Sequence, residues 1–186
     1  MSRIDSALQA DSYLYHTTSV SNLQSILRNG VQPTTDGHRD GLEHDLTRIA
    51  AEHGIEIPIT RQDCVFCYAS SEQATRLTQL GTPDSDEYGG LQSNDAIVVI
   101  DGQEIDDDVF VGEFRLISDA IDHQHMPEPD DVMISDSYED ALRRYADTLT
   151  RVEPFSSLVD ICSDFRLAEV VVENGIPPGA IVGWIE

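Results

Sequence analysis

The chain contains no lysine: all 11 of its basic residues are arginine, set against 35 aspartates and glutamates. A formal charge of −24 leaves no broad basic face with which to displace counterions, which excludes a non-specific nucleic-acid binder. A nucleic acid held at one small site is not excluded. Cysteine is scarce as well, at 3 residues, an odd number that does not suit a disulfide framework. Cys64 and Cys67 have the C-x-x-C spacing, yet they fall in a strand-like apolar run, where such residues face opposite sides. No second pair completes a zinc site, so both are read as core. His123-x-His125 has no third histidine at ligand spacing, and no metal is expected there. No apolar run approaches the roughly 18 residues of a membrane span, and the opening MSRIDSALQADS lacks the apolar stretch of a secretory signal. The expected setting is therefore cytoplasmic, or inside an assembly built in the cytoplasm such as a virion, with no membrane partner. A glycine-rich phosphate loop, a Gly-x-Ser-x-Gly elbow, internal repeats and low-complexity tracts are absent too.

Dense carboxylates, combined with the loss of lysine's long alkyl stem, suit a solvent near multimolar salt. The Debye length there is about 3 Å, against about 10 Å at 0.1 M, so self-repulsion is screened. Adaptation to high salt is the expectation; a merely acidic protein that binds a basic partner is the alternative. Diluting the protein from molar KCl to about 0.1 M is expected to unfold it reversibly, followed by circular dichroism. An unchanged spectrum would leave only the second reading.

What remains is an ordinary globular composition, 40% hydrophobic over 186 residues, enough for one domain with a real core. The pattern predicts an α+β fold of about six strands and four helices, with residues 1–186 as a single domain. Strands are expected at 12–16, 64–69, 96–100, 109–117, 167–172 and 180–185. Helices are expected at 19–30, 42–53, from Ser70 to Gly81, and at 136–149 with Asp136 and Glu139 as a capping box. TTDGHRDG (34–41), residues 82–95 and HQHMPEPDD (123–131) read as loops. The acidic run Asp106–Asp108 reads as a solvated turn.

Glu169 stands out because it lies inside Leu-Ala-Glu-Val-Val-Val. It shares a strand face with Leu167 and Val171, and an ionisable group there is costly to desolvate unless paired or used. A cleft carboxylate is the expectation, an exposed strand edge or bulge the alternative. His16 ends the first strand just before a Thr-Thr-Ser turn, a junction that offers backbone N–H groups and hydroxyls to a polar ligand. Tyr68 ends the strand CVFCYA before a serine-capped helix, where a ring can stack on a flat ligand or simply pack in the core.

The order of these pieces resembles one family. Leu14-Tyr15-His16-Thr17-Thr18-Ser19, then Asn22-Leu23 and Ser25-Ile26-Leu27-Arg28-Asn29-Gly30-Val31-Gln32-Pro33, is similar to the opening of the ADP-ribosyltransferase-like superfamily. Val65-Phe66-Cys67-Tyr68-Ala69-Ser70-Ser71-Glu72-Gln73-Ala74 resembles its second element. Ala168-Glu169-Val170-Val171-Val172, followed by Ile176-Pro177-Pro178-Gly179-Ala180-Ile181, resembles its last. The resemblance implies a split β-sheet core with flanking helices and NAD as substrate. On matched positions it implies His16 against a ribose hydroxyl, the Thr17 backbone on the nicotinamide amide, Tyr68 stacked on the nicotinamide ring and Glu169 beside the ribose as the glycosidic bond breaks. Ser70 and Arg39 join the cofactor-binding set, Arg39 as a pyrophosphate contact. Two positions depart from the pattern: Thr17 where many relatives carry glycine, and Leu167 where arginine- or serine-directed members carry Gln or Glu. DNA-modifying toxins and RNA 2′-phosphotransferases share the opening. The acceptor, protein or nucleic acid, stays open, as do an inhibitor or assembly partner and a role as toxin or conflict effector. The other reading is a non-catalytic structural or interaction module of the same fold, for example in the virion of a halophilic virus.

Overall fold

A computed structural model describes residues 2–3, 12–33, 37–74, 95–125, 137–153 and 155–185. Its strands form two four-stranded sheets. The first has the order β1–β8–β4–β2, from Ser2–Arg3 (β1), Tyr13–Ser19 (β2), Asp95–Asp101 (β4) and Ile181–Ile185 (β8). The second has the order β3–β7–β5–β6, from Cys64–Cys67 (β3), Val109–Glu113 (β5), Thr150–Arg151 (β6) and Ala168–Glu173 (β7). The run Ala-Ile-Val-Val-Ile of β4 is apolar throughout because β4 is an interior strand, with every residue from Ala96 to Ile100 buried. The same holds for Val170–Val172 of β7, flanked by β3 and β5.

The two sheets share a core. Leu14, Val98 and Ile100 of the first pack with Val65, Cys67, Val109, Val111, Ala168, Val170 and Val172 of the second. The other face of the second sheet lies under helices α2 (Gly37–Glu52), α3 (Phe114–His125) and α4 (Tyr138–Thr148). Their apolar stripes, Leu42, Leu46 and Ile49 with Leu116, Ile117, Leu142 and Tyr145, form one cluster at helical spacing. The α+β expectation holds, as layers of sheet, sheet and helices. Among the described residues no helix is long and apolar enough to cross a membrane.

The short helix α1 (Leu23–Asn29) stops at Gly30, whose φ of +79° lies in the region glycine favours. Gly30 does more than stop a helix. It lets Val31 pair with Ile176 through N–H···O bonds of 3.0 and 2.8 Å, which ties α1 to the turn before β8. A Cβ at position 30 would sit 2.0 Å from the Ile176 carbonyl oxygen. Gly30→Ala is therefore expected to destabilise the fold by about 2 kcal/mol or more, from strained backbone plus a clash that no rotamer relieves. Chemical denaturation in molar KCl measures it, and a loss below about 0.5 kcal/mol would contradict this account.

Several predicted boundaries are corrected. The strand expected at 109–117 ends at Glu113, and α3 begins at Phe114 and runs through His123–His125, where the sequence suggests loop. Phe114, Leu116, Ile117 and Ala120 recur at helical spacing against α2 and α4, so tertiary packing overrides the strand-like composition. Helix α2 begins at Gly37, inside the segment read as a glycine-rich loop. Helix α4 is capped by Ser137, whose hydroxyl accepts from the Asp140 N–H, and not by Asp136. The short β6 and α5 (Leu158–Ser163) were not anticipated. The helix predicted from Ser70 is present over 71–74. Its continuation to Gly81, residues 82–94 and residues 126–136 lie outside the described residues.

Candidate active site

The join between the two sheets passes through Tyr15 and Tyr68, close in sequence to several of the residues singled out above. Tyr15 of β2 and Tyr68, one residue past β3, exchange two backbone hydrogen bonds of 2.9 Å. The β3–β7 register ends at Cys67↔Val170, and carried one residue further it sets Tyr68 opposite Glu169. Gly112 of β5 lies opposite Glu169 on the other side. Tyr15 and Tyr68 are paired on one side of the join, and Glu169 and Gly112 on the other; His16, the next residue of β2, points to the opposite face from Tyr15. Neighbouring strands lie about 5 Å apart, so residues far apart in sequence come within side-chain reach.

These side chains take different partners. The His16 Nδ1 lies 2.9 Å from the Phe66 carbonyl oxygen. Tyr68 packs with Tyr15 and Ala74, and its ring meets Phe114 edge-on with centroids 6.5 Å apart. His16 does not end its strand: β2 runs on to Ser19, so the expected Thr-Thr-Ser turn is strand and Thr17 stands opposite Ile97 in the β2–β4 ladder. The Ser70 hydroxyl accepts from the Gln73 N–H at 3.1 Å, capping the helix that follows. Arg39 lies in the first turn of α2, and its side chain is outside those described.

Glu169 is neither on a strand edge nor at a bulge. It sits in the interior strand β7 and is only 2% exposed. Its burial is against polar groups: Oε1 accepts from Arg61 Nη1 at 2.7 Å and from the Tyr145 hydroxyl at 2.5 Å. Arg61 Nη1 also donates to the Tyr145 oxygen, and Arg61 Nε donates to Glu43 Oε1 at 3.0 Å. The guanidinium is sandwiched between rings, its carbon 4.5 Å from the Phe66 centroid and 4.7 Å from that of Tyr145. Burial alone would lower the Arg61 pKa, but Glu169, Tyr145 and Glu43 overcome it and raise the value above its ordinary level. Tyr145 is pushed well up, first by burial and then by Glu169, so its phenol keeps its proton as a donor. Among the described residues, Glu43, Arg61 and Glu169 are the buried charged ones, one cation serving two carboxylates. Among the described residues, both hydrogen bonds to Glu169 fall on Oε1 and none on Oε2.

Arg61, Tyr145 and Glu43 were not read as site residues from sequence. Tyr145 was placed correctly on the core face of its helix, but its hydroxyl was not assigned a partner. Gly112, inside the strand Val-Phe-Val-Gly-Glu, was the available signal, since a glycine in a strand marks a close approach. The cysteines behave as core. Cys64 and Cys67 belong to clusters on opposite faces of the sheet. Burial pushes Cys64 up to about 12, Cys67 higher still and Cys162 up to about 11, so none offers a thiolate at neutral pH.

Two open cavities flank the buried cluster. One of about 470 Å³ borders Glu43 and Arg61, between α2 and the segment Ile57–Gln62. The other, about 570 Å³, lies at the start of β7 and is lined by Glu113, Arg115, Arg144, Phe165 and Arg166 among others. Glu169 lines neither.

No protein-family model matches the chain, and no curated protein does. Among solved structures, Thermus sp. 2.9 DarT in complex with NAD+ is 15% identical, with a TM-score of 0.38, over 94% of this chain and 81% of that one. The carba-NAD+ complex gives the same values. The complex with ADP-ribosylated ssDNA is 14% identical, with a TM-score of 0.39, over 96% of this chain and 82% of that one.

Proposed function

We propose that the chain is an NAD-consuming ADP-ribosyl transferase or hydrolase that works with Glu169, His16 and Tyr68. The observation that carries this reading is the state of Glu169: a carboxylate in an interior strand, fixed through one oxygen by Arg61 and Tyr145. Such an anion suits a reaction in which positive charge develops beside it. The bond between nicotinamide and the ribose anomeric carbon breaks, and nicotinamide leaves with the electron pair. The ribose passes through an oxocarbenium-like state, and a nucleophile then bonds to that carbon and sheds its proton. A fixed carboxylate next to the ribose helps the charged transition state more than the neutral sugar. In this reading His16 holds a ribose hydroxyl, Tyr68 stacks on nicotinamide, and Thr17, Ser70 and Arg39 complete the NAD contacts. The acceptor is water or a macromolecule, protein or nucleic acid, and a toxin or conflict effector in a high-salt cell is the fitting role.

One observation favours a second reading. With Glu169 only 2% exposed, the cluster equally suits an internal brace in a non-catalytic module, such as a virion component. The test is incubation with NAD labelled in nicotinamide, in molar KCl, for the wild type beside Glu169→Gln. Release by the wild type alone supports catalysis. Silence from both, with no NAD bound, supports the module.

A further inference from the structure

We propose that Tyr145 is a positioning residue for Glu169, its hydroxyl setting the carboxylate plane so that Oε2 is the oxygen offered to the ribose. This rests on the transferase reading above. Tyr145 is fully buried on α4, and its hydroxyl donates to Glu169 Oε1 at 2.5 Å. Arg61 Nη1 donates to the same oxygen at 2.7 Å. A buried phenol needs one acceptor, and a buried carboxylate takes several donors spread over its two oxygens. Two donors converging on one oxygen do something else: they fix the terminal torsion, which is otherwise broad for a glutamate. Arg61 Nη1 by itself would be a single donor to that oxygen and would leave the torsion less defined.

The strand beneath is shaped for the same phenol. Gly112 lies opposite Glu169 in the ladder, and a Cβ there would come within 3.0 to 3.1 Å of Tyr145 Cε2, Cζ and the hydroxyl oxygen. A side chain at 112 would press on the ring and push it and its hydroxyl by a few tenths of an ångström away from Glu169.

The test compares Tyr145→Phe, which keeps the ring, with the wild type in nicotinamide release from NAD in molar KCl. The expected result is a kcat lower by about 10- to 100-fold, the value of a hydrogen bond to a charged group, with KM for NAD within about threefold. Should Tyr145→Phe fail to fold, Gly112→Ala is the second variant, expected to lose several-fold in kcat as the methyl displaces the ring. A second readout needs no turnover. In protein labelled with 3-fluorotyrosine, the fluorine resonance missing from Tyr145→Phe identifies Tyr145, and it should shift in Glu169→Gln but not in Cys162→Ser. Wild-type kcat in a folded Tyr145→Phe, or an unmoved resonance, overturns the proposal. A wild type that releases no nicotinamide overturns the transferase reading and this role with it, whereas the fluorine shift then still reports the hydrogen bond alone.

Discussion

Glu169→Gln is expected to lower nicotinamide release by roughly 10²–10³-fold, the usual loss when one fixed electrostatic partner of a transition state is removed. The same change should leave the fold standing. Glutamine keeps the shape of the side chain, and its carbonyl oxygen can occupy the place of Oε1, accepting from Arg61 and Tyr145 as the carboxylate does. What disappears is one negative charge from a cluster in which two carboxylates share a single guanidinium. The Arg61–Glu43 pair remains, so no cation is left without a partner. The expected pattern is thus a folded protein with its melting temperature near wild type and its turnover gone. Calorimetry and the labelled-NAD assay on one preparation check both halves. A variant with wild-type turnover would remove Glu169 from the chemistry, and one that melts far below wild type would mark the carboxylate as a brace.

Glu169 was legible in the sequence because a carboxylate between alanine and three valines is conspicuous on physical grounds. Its partners were not. Thr-Arg-Gln-Asp around Arg61 reads like any polar turn, and the pairing spans 108 positions along the chain, beyond the reach of local periodicity. Glu43 was one acidic residue among 35, hidden by the charge that makes the surface acidic. Tyr145 was correctly assigned to a buried helical stripe, but periodicity records the ring and is blind to the oxygen at its end. The strand-to-helix change at Phe114 was missed for a related reason. Phe-Arg-Leu-Ile has the composition of a strand, and only the partners on α2 and α4 show that the helical spacing prevails. His16 and Tyr68 were each unremarkable alone. The isolated bridge between Tyr15 and Tyr68 joins the first and second of the motifs read from the sequence, a pairing that spans more than fifty positions and that local periodicity does not record.

Arg61→Met should be the most damaging single change in stability, at about 3–5 kcal/mol, because removing one partner of a buried ion pair leaves the other uncompensated. Here two carboxylates are stranded at once, Glu169 at 2% and Glu43 at 7% exposure. Methionine has about the right length and can lie between the Phe66 and Tyr145 rings, so little of the loss comes from an empty space. For a domain of this size the fall in melting temperature is roughly 6–20 °C. Arg61→Lys is expected to fall in between, since a single ammonium cannot reproduce the fork that spans Glu43 and Glu169. The informative variant is the double one, Arg61→Met with Glu169→Gln. By removing one stranded charge it should recover part of the stability lost by Arg61→Met alone, a coupling that independent sites do not show. Arg151→Met serves as the control, because its pairs with Asp108 and Glu153 lie at the surface, with the arginine side chain 50% exposed. If Arg61→Met costs no more than Arg151→Met, or if the double variant is simply additive, the buried cluster does not hold the helices to the second sheet. The fixed geometry that the proposed transferase reading asks of Glu169 would then have no structural basis.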